Sequence, residues 1–167
     1  MAKRILLTAL FSATVVVGLI ELVFGPGRHY IERARRERVI AEYEEILETA
    51  QRAPLDPTIS AAIIERTRDK RRWDRTQAYA QISQIAFVLR DRPNDMSVVS
   101  TELAPALHSG LSDSDPYVRR EAARACAELA ASGALPSDLL PDLRDVVKSH
   151  PGADAATFAS EALAGMR

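Results

Sequence analysis

The stretch LAPALHSGLSDSDPYVRREAARACAELA, from Leu103 to Ala130, decides the fold of most of this chain. Apolar residues recur at steps of three and four, beginning just before this stretch and continuing through its first part. This is the spacing of an amphipathic helix. This apolar face consists of Val99, Leu103, Ala106, Leu107 and Leu111. We therefore predict a helix here that buries one side.

A turn and a second helix follow in the same stretch. Asp115 suits the N-cap position, and Pro116 suits the first helical position, where its missing N–H is no loss. Gly133 can end this helix in a left-handed conformation. The second apolar face consists of Val118, Ala122, Cys126 and Leu129. The stretch therefore predicts two helices joined by a short turn.

This helix pair is repeated along the chain. A shift of 36 residues places Leu103, Pro105, Leu107 and Leu111 on Leu139, Pro141, Leu143 and Val147, and Ala122, Ala123 and Cys126 on Phe158, Ala159 and Ala162. A looser shift of 40 residues places Ile63, Ile82, Ala86 and Leu89 on Leu103, Ala122, Cys126 and Leu129. Periods in this range indicate stacked helix pairs, and the chain is long enough for about three of them.

Leu103–Ala130 resembles a HEAT repeat. The matching features are Pro105 within the first helix, Asp113 and Asp115 in the turn, and a Val-Arg pair at Val118 followed by small residues. The resemblance implies an all-α fold in which residues 57–167 form a short α-solenoid of about three HEAT-like helix pairs. Such solenoids usually bind proteins, although a fold alone does not establish a function.

The other two pairs depart from the HEAT pattern. The 136–166 unit keeps Pro141 but lacks the Val-Arg pair. The 58–91 pair has neither the proline nor the Asp-x-Asp turn. The resemblance therefore covers Leu103–Ala130 well and the rest of the predicted solenoid loosely.

Ile5–Phe24, ILLTALFSATVVVGLIELVF, contains one charged residue and no proline. With about 1.5 Å of rise per residue, a helix of this length spans roughly 30 Å, the thickness of a bilayer's hydrocarbon core. A cleaved secretory signal is the alternative, since residues 1–4 are short and basic. The apolar run is longer than a signal needs, and Gly25-Pro26-Gly27 places a proline where cleavage would occur. We therefore predict an uncleaved transmembrane anchor over residues 1–27.

The charges that flank this anchor predict its orientation, because the more basic flank stays in the cytoplasm. The C-terminal flank carries Arg28, Arg33, Arg35, Arg36 and Arg38. Each of these arginines can also gain roughly 1 kcal/mol from anionic lipid headgroups. We expect residues 28–167 in the cytoplasm. The preference for arginine over lysine points to a GC-rich bacterial genome, so the membrane is expected to be a bacterial inner membrane.

One side of the anchor carries Thr14, Gly18 and Glu21, spaced by four and three. Small and polar residues let helices approach closely in lipid, so this face suits a helix of an integral membrane protein complex. The alternative is that Glu21, one turn from the helix end, reaches towards water at the interface.

Residues 28–56 are predicted to form a juxtamembrane connector helix that ends in a turn at residues 53–57. Its apolar face consists of Val39, Tyr43, Ile46, Leu47 and Ala50. This face can pack on the helical domain or, over two heptads, pair with a partner as a coiled coil. Helices are then predicted near residues 58–70 and 73–91, and residues 92–95 read as the turn that ends the pair.

Little in the sequence indicates catalysis. The single cysteine, Cys126, excludes an intramolecular disulfide and a cysteine-based zinc site, and we expect it to be a buried, inert thiol. Asp113 and Asp115 are explained by turn and cap roles rather than as an acid–base pair. The chain contains no Gly-rich phosphate loop, nucleophile elbow or zinc motif. The histidines lie far apart at His29, His108 and His150. We therefore expect no catalytic residue, metal site or cofactor.

A second basic cluster lies between the predicted helices of the first pair. It consists of Arg66, Arg68, Lys70, Arg71, Arg72, Trp73 and Arg75. The cluster can be a solvated corner between helices or a docking patch for lipid, an acidic partner or nucleic acid. Glu65, Asp69 and Asp74 dilute its charge, and the net charge of the chain is −1, so nucleic acid is the least favoured of these.

Together these features predict a membrane-anchored scaffold or accessory subunit that binds protein partners, with no small-molecule substrate. Two other classes stay open at this point. One is an enzyme that uses a solenoid groove, which needs more repeats than about three pairs supply. The other is a membrane-tethered nucleic-acid-binding protein, whose binding would weaken steeply with salt.

Overall fold

The computed structural model describes residues 26–52 and 57–166, and these residues form seven α-helices and no strand. The chain is all-α over this part, as predicted. The helices are α1 (Pro26–Arg52), α2 (Pro57–Thr67), α3 (Arg72–Val88), α4 (Pro93–Leu111), α5 (Pro116–Ala131), α6 (Leu140–Ser149) and α7 (Asp154–Gly165). A short 3-10 helix, Ser137–Leu139, precedes α6.

The chain divides into two compact units, residues 1–44 and residues 45–167. In the described part of the first unit, α1 exposes the large apolar side chains of Tyr30, Ile31 and Ile40. Arg33 and Glu37 form an ion pair across one turn of this helix, with Nε and Oε1 2.8 Å apart. The boundary between the units falls inside the predicted connector helix.

The second unit contains three antiparallel helix pairs: α2 with α3, α4 with α5, and α6 with α7. The first helices of the pairs contact one another in chain order, α2 with α4 and α4 with α6. The second helices do the same, α3 with α5 and α5 with α7. Helix α5 therefore lies at the centre, with a neighbour on each side and its own partner α4 against it.

One apolar core runs through all three pairs. Its largest fully buried side chains include Ile63, Tyr79, Ile82, Ile85, Leu89, Met96, Leu103, Leu107, Leu129, Leu139 and Leu143. The repeat alignment predicted most of these positions. The residues that it superposes are buried in each pair, except that Val147 and Phe158 are partly buried and Pro105 and Pro141 are exposed. Full burial of each such side chain stabilises the fold by about 1.5–3 kcal/mol, so the core is the main source of stability. Ile46 and Leu47 of α1 pack against the same core.

The predicted ends of α5 are confirmed. The Asp115 carboxylate accepts hydrogen bonds from the backbone N–H groups of Tyr117 and Val118, at 2.9 and 3.4 Å, and Pro116 follows it. At the other end Gly133 has φ +68°, and two backbone bonds close a Schellman motif. These bonds run from the Gly133 N–H to the Ala130 carbonyl and from the Ala134 N–H to the Leu129 carbonyl, both at 2.9 Å.

The first pair differs from the sequence prediction at its helix ends. Helix α2 ends at Thr67 rather than near residue 70, because residues 68–71 form a turn in which the Asp69 carboxylate accepts the Arg71 N–H at 2.8 Å. Aspartate side chains compete in this way with helical hydrogen bonds. Residues 93–95, interpreted as part of a turn, are instead the first turn of α4, with Pro93 at the start of the helix.

The predicted anchor Ile5–Phe24 lies outside the described residues, as do its partner-facing side chains Thr14, Gly18 and Glu21 and most of the turn at residues 53–57. Within the two described segments, no helix has the length and the hydropathy that crossing a bilayer requires.

Candidate functional site

Each helix pair has a turn between its first and its second helix. These three turns lie next to one another in the second unit. We call this surface the turn edge and define it by residues 68–72, 112–120 and 150–155. The N-termini of α3, α5 and α7 all lie along it. Side chains from α3 and α5 reach across the edge from each pair to the next, and these contacts define the site.

Arg75, the fourth residue of α3, connects the first turn to the second. Its Nη1 donates to the carbonyls of Asp69 and Lys70, at 2.9 and 3.2 Å, which lie six and five residues before it. Its Nε and Nη2 donate to the two carboxylate oxygens of Asp113, at 2.9 and 3.3 Å. Because the Arg75 and Asp113 side chains are only 18% and 16% exposed, this two-pronged ion pair is well shielded from water.

Arg119, the fourth residue of α5, repeats half of this arrangement. Its Nη1 donates to the carbonyls of Asp113 and Ser114, at 2.6 and 2.9 Å, again six and five residues before it. Its Nε is buried and has no hydrogen-bond acceptor, whereas the Nε of Arg75 bonds to Asp113. Arg119 also forms no ion pair with any residue of the described segments.

The third turn lacks the carboxylate that would complete the series. Residues 150–153 read His-Pro-Gly-Ala, and Thr157 takes the fourth position of α7. The N-cap of α7 is Ala153, which has no side chain to accept the first amides of the helix, in contrast to Asp115 at the start of α5. A cleft of about 110 Å³ lies here between α5 and the start of α7. Its walls are Pro116, Tyr117, Arg119, Arg120, His150, Ala153, Asp154 and Ala155.

Tyr117 is exposed and lies close to two arginines on the turn edge. The guanidinium carbons of Arg72 and Arg120 are 5.1 and 5.7 Å from the centre of its ring, within cation–π range. Arg120 also donates through Nε and Nη2 to Oε1 of Glu121, at 3.0 and 2.7 Å. Glu121 is only 6% exposed, so its charge is neutralised mainly by Arg120, with Arg124 3.7 Å from the other oxygen.

His108 on α4 contacts two carboxylates at the start of the third pair. Its Nδ1 lies 2.5 Å from Oδ2 of Asp142, and its Nε2 lies 3.4 Å from Oδ2 of Asp138. The hydrogen bond to Asp142 raises the pKa of His108, since both contacts favour the protonated ring. No group of three or more metal-ligating side chains in the described segments is arranged to hold a metal ion.

Cys126 and the two turn aspartates have the environments that the sequence suggested. Cys126 is fully buried on α5, and burial raises the pKa of its thiol to about 12. Asp113 binds Arg75 and also accepts the Asp115 N–H at 2.8 Å, and Asp115 caps α5. Both carboxylates are therefore engaged in holding the turn.

The side chains of the basic cluster predicted over residues 66–75 have different surroundings. Arg75 points to Asp113, and Arg72 lies over Tyr117 with its Nε 3.8 Å from an Asp115 oxygen. Arg66 and Trp73 are partly buried. Arg68, Lys70 and Arg71 are exposed around a surface hollow that Glu65 and Asp69 share.

The arginines predicted to meet lipid headgroups all lie on α1, where a turn of 3.6 residues distributes them around the helix. Arg28, Arg33, Arg36 and Arg38 are exposed and Arg35 is partly buried. Arg33 is paired with Glu37.

Sequence reasoning missed Arg119, Arg120, Tyr117 and His150 as members of one site. A signal was present, because Arg75 and Arg119 both follow a turn aspartate by six residues, Asp69 and Asp113. No equivalent pair occurs at the third turn.

Comparison of the chain with known protein families, curated proteins and solved structures finds no match.

Proposed function

We propose that this chain is a membrane-anchored scaffold or accessory subunit that binds protein partners through a small α-solenoid of three HEAT-like helix pairs. The observation that carries the proposal is the stacking of successive pairs, with α3, α5 and α7 in contact in chain order and the Arg75–Asp113 ion pair between the first two turns. A regular stack of this kind offers an extended surface for a partner.

The turn edge has the composition of a protein-binding surface. Tyrosine and arginine are enriched in the residues that contribute most to protein–protein affinity. Arg72 and Arg120 each lie over the Tyr117 ring here, and the ring is exposed. A ring that contacts two cations is already restrained before binding, so less side-chain entropy is lost when a partner contacts this surface.

The membrane part of the proposal rests on Ile5–Phe24 and on the arginines that follow it. The full chain should sediment with membranes, and a chain lacking residues 1–27 should not. A reporter fused to the C-terminus should be active only in the cytoplasm. Activity on the opposite side of the membrane would reverse the orientation, and release of the full chain by salt alone would remove the anchor.

Binding to a partner can be tested by photocrosslinking in cells. A photoreactive phenylalanine analogue at Tyr117 should give a discrete crosslinked adduct in the membrane fraction, whereas the same analogue at Thr101 should not. Thr101 is also exposed but lies on α4, away from the turn edge. Mass spectrometry would then identify the adduct. If Tyr117, Arg72 and Thr157 all give no adduct, a partner-binding turn edge is wrong.

The anchor's own contribution can be separated from that of the solenoid. Gly18→Leu and Glu21→Leu should each release the protein from its complex while leaving membrane insertion unchanged. If both variants stay associated with the complex, the anchor is a passive tether and recognition lies in residues 57–167.

A further inference from the structure

We propose that the cleft at Arg119, Arg120 and His150 is a carboxylate-binding site that takes an acidic side chain of a protein partner. This inference rests on the proposed protein-binding function and adds the chemistry of the partner. Its basis is the difference between two arginines that occupy the same position in successive helices.

Arg75 shows what an arginine at this position binds. Its Nη1 holds the carbonyls of its own turn, and its Nε and Nη2 hold the carboxylate of Asp113 from the next turn. Arg119 holds its own turn in the same way, so its guanidinium is fixed in the same orientation relative to its helix. Its Nε–H is buried without an acceptor. Buried donors are rarely left unpaired in native proteins, and a pre-oriented guanidinium is a strong carboxylate ligand.

The start of α7 supplies further donors to the same cleft. Ala153, Asp154 and Ala155 line it. The Ala153 carbonyl accepts the Ala156 N–H at 2.9 Å, but the Ala153 side chain cannot cap the N–H groups that precede it. The positive end of the helix dipole therefore also faces the cleft and favours an anion. At the start of α5 the corresponding place is already filled by the carboxylate of Asp115.

The charges around the cleft favour a single carboxylate over phosphate. Arg120 is neutralised by Glu121, and the exposed Asp154 lies 3.8 Å from its Nη1. Arg119 is the guanidinium of the cleft without a paired acid. A ligand with one negative charge matches it, whereas the second charge of a phosphate dianion would have no partner and would be repelled by Asp154.

Arg119 also lines a second hollow, from which an acidic side chain could in principle enter. It carries Asp113, Asp142 and Asp145 together with His150. Asp113 and Asp142 are already paired with Arg75 and His108, and the further charge of Asp145 repels an incoming acid there. The ligand therefore enters by the cleft at the start of α7. Tyr117 stands at the rim of that cleft and extends the contact surface.

A peptide copy of the chain's own second turn is the direct probe. The blocked hexapeptide Ser-Asp-Ser-Asp-Pro-Tyr has the sequence of residues 112–117, which supply the carboxylate that Arg75 binds. The full chain, labelled with 15N-arginine in detergent micelles, is titrated with this peptide, and the Nε–Hε resonances of the arginines are followed. We expect a saturable shift of the Arg119 resonance and no shift of Arg75, which is already occupied.

Two substitutions at Ala153 separate the site from general stability. Ala153→Asp and Ala153→Asn both supply an N-cap and should both raise the melting temperature. Only Ala153→Asp places a resident carboxylate in the cleft, so we expect it to weaken peptide binding at least about tenfold. Ala153→Asn should bind the peptide as the unmodified chain does. Equal binding by the two variants would show that the carboxylate is not held in this cleft.

Three other results would overturn the proposal. They are an Arg119 resonance that does not move, equal binding of the peptide Ser-Asn-Ser-Asn-Pro-Tyr, and tighter binding of inorganic phosphate than of the acidic peptide. The protein-binding function is tested separately: if Tyr117 still crosslinks to a partner while Arg119 does not respond, only the carboxylate site is wrong.

Discussion

The Tyr79 hydroxyl of α3 donates a hydrogen bond to the Ala106 carbonyl of α4 at 2.7 Å, in the interior of the second unit. The tyrosine ring lies against the α4 backbone at Gly110. A Cβ at Gly110 would come within 2.5 Å of Cζ of Tyr79 and 2.7 Å of the Ala122 Cβ on α5. Three helices therefore meet at this glycine, and burial raises the pKa of Tyr79 to about 12, so its hydroxyl stays a donor.

Gly110→Ala should destabilise the protein despite the better helix propensity of alanine. Alanine gains at most about 1 kcal/mol inside a helix, whereas overpacking of a core costs about 1–3 kcal/mol. We expect a net loss of about 1–2 kcal/mol in the free energy of unfolding, measured by urea denaturation of the full chain in detergent. Ser109→Ala, at the exposed neighbouring position, should change this free energy by less than about 0.5 kcal/mol. A stabilised Gly110→Ala variant would mean that α3 and α5 can move away from α4.

The Arg75–Asp113 pair should show strong coupling in a double-mutant cycle. Arg75→Gln and Asp113→Asn remove the charges of a shielded two-pronged pair, so we expect a coupling energy of about 1–3 kcal/mol in the free energy of unfolding. Arg33 and Glu37 are the control pair, since their side chains are 78% and 62% exposed. Their coupling should be about 0.3–0.5 kcal/mol and should fall with salt. Equal coupling energies for the two pairs would refute the view that Arg75 connects successive turns.

The separation in sequence between interacting residues explains which features the sequence could predict. Asp115, Pro116 and Gly133 act within a few residues of their own positions, so their roles as caps follow from the local pattern. The buried positions of the three pairs follow from periodicity for the same reason. The partner of Arg75 lies 38 residues away, and no local pattern identifies it.

The basic cluster at residues 66–75 shows that closeness in sequence does not place side chains in the same surroundings. These arginines are neighbours in sequence, but the end of α2 and the start of α3 direct them differently. Arg75 turns inward to Asp113, and Arg72 turns to Tyr117. The site at Arg119 depends on a missing carboxylate at the third turn, which becomes visible only when the turns are superposed.

His108 should make stability depend on pH. The hydrogen bond to Asp142 raises its pKa in the folded protein above the ordinary value of about 6.5. A raised folded pKa means that the folded protein binds the proton more tightly than the unfolded chain. The stabilisation is therefore full below about pH 6.5 and is lost as the pH rises through the folded pKa.

His108→Gln keeps a donor at this position but removes the titration. We expect its free energy of unfolding to vary less with pH between about 6 and 8 than that of the unmodified chain. The effect should be modest, because more than a third of the His108 side chain is exposed and water screens the pair. His150→Gln is the control and should leave the slope unchanged if His108 is its source. A slope of the opposite sign in the unmodified chain would contradict the contact with Asp142.

Cys126 should behave as an inert structural thiol. The side chain is fully buried on α5, and burial raises its pKa to about 12, so the thiolate that reacts with electrophiles is scarce at neutral pH. A thiol reagent should therefore label the native protein only as fast as the protein opens, and urea should accelerate labelling up to the unfolding transition. A cysteine placed at the exposed Ser149 in a Cys126→Ala background should react at once. Cys126→Ala itself should lower the free energy of unfolding by about 1 kcal/mol, and crosslinking from Tyr117 should persist. Rapid labelling of native Cys126, or loss of that crosslink in a folded Cys126→Ala protein, would assign the thiol a chemical role instead.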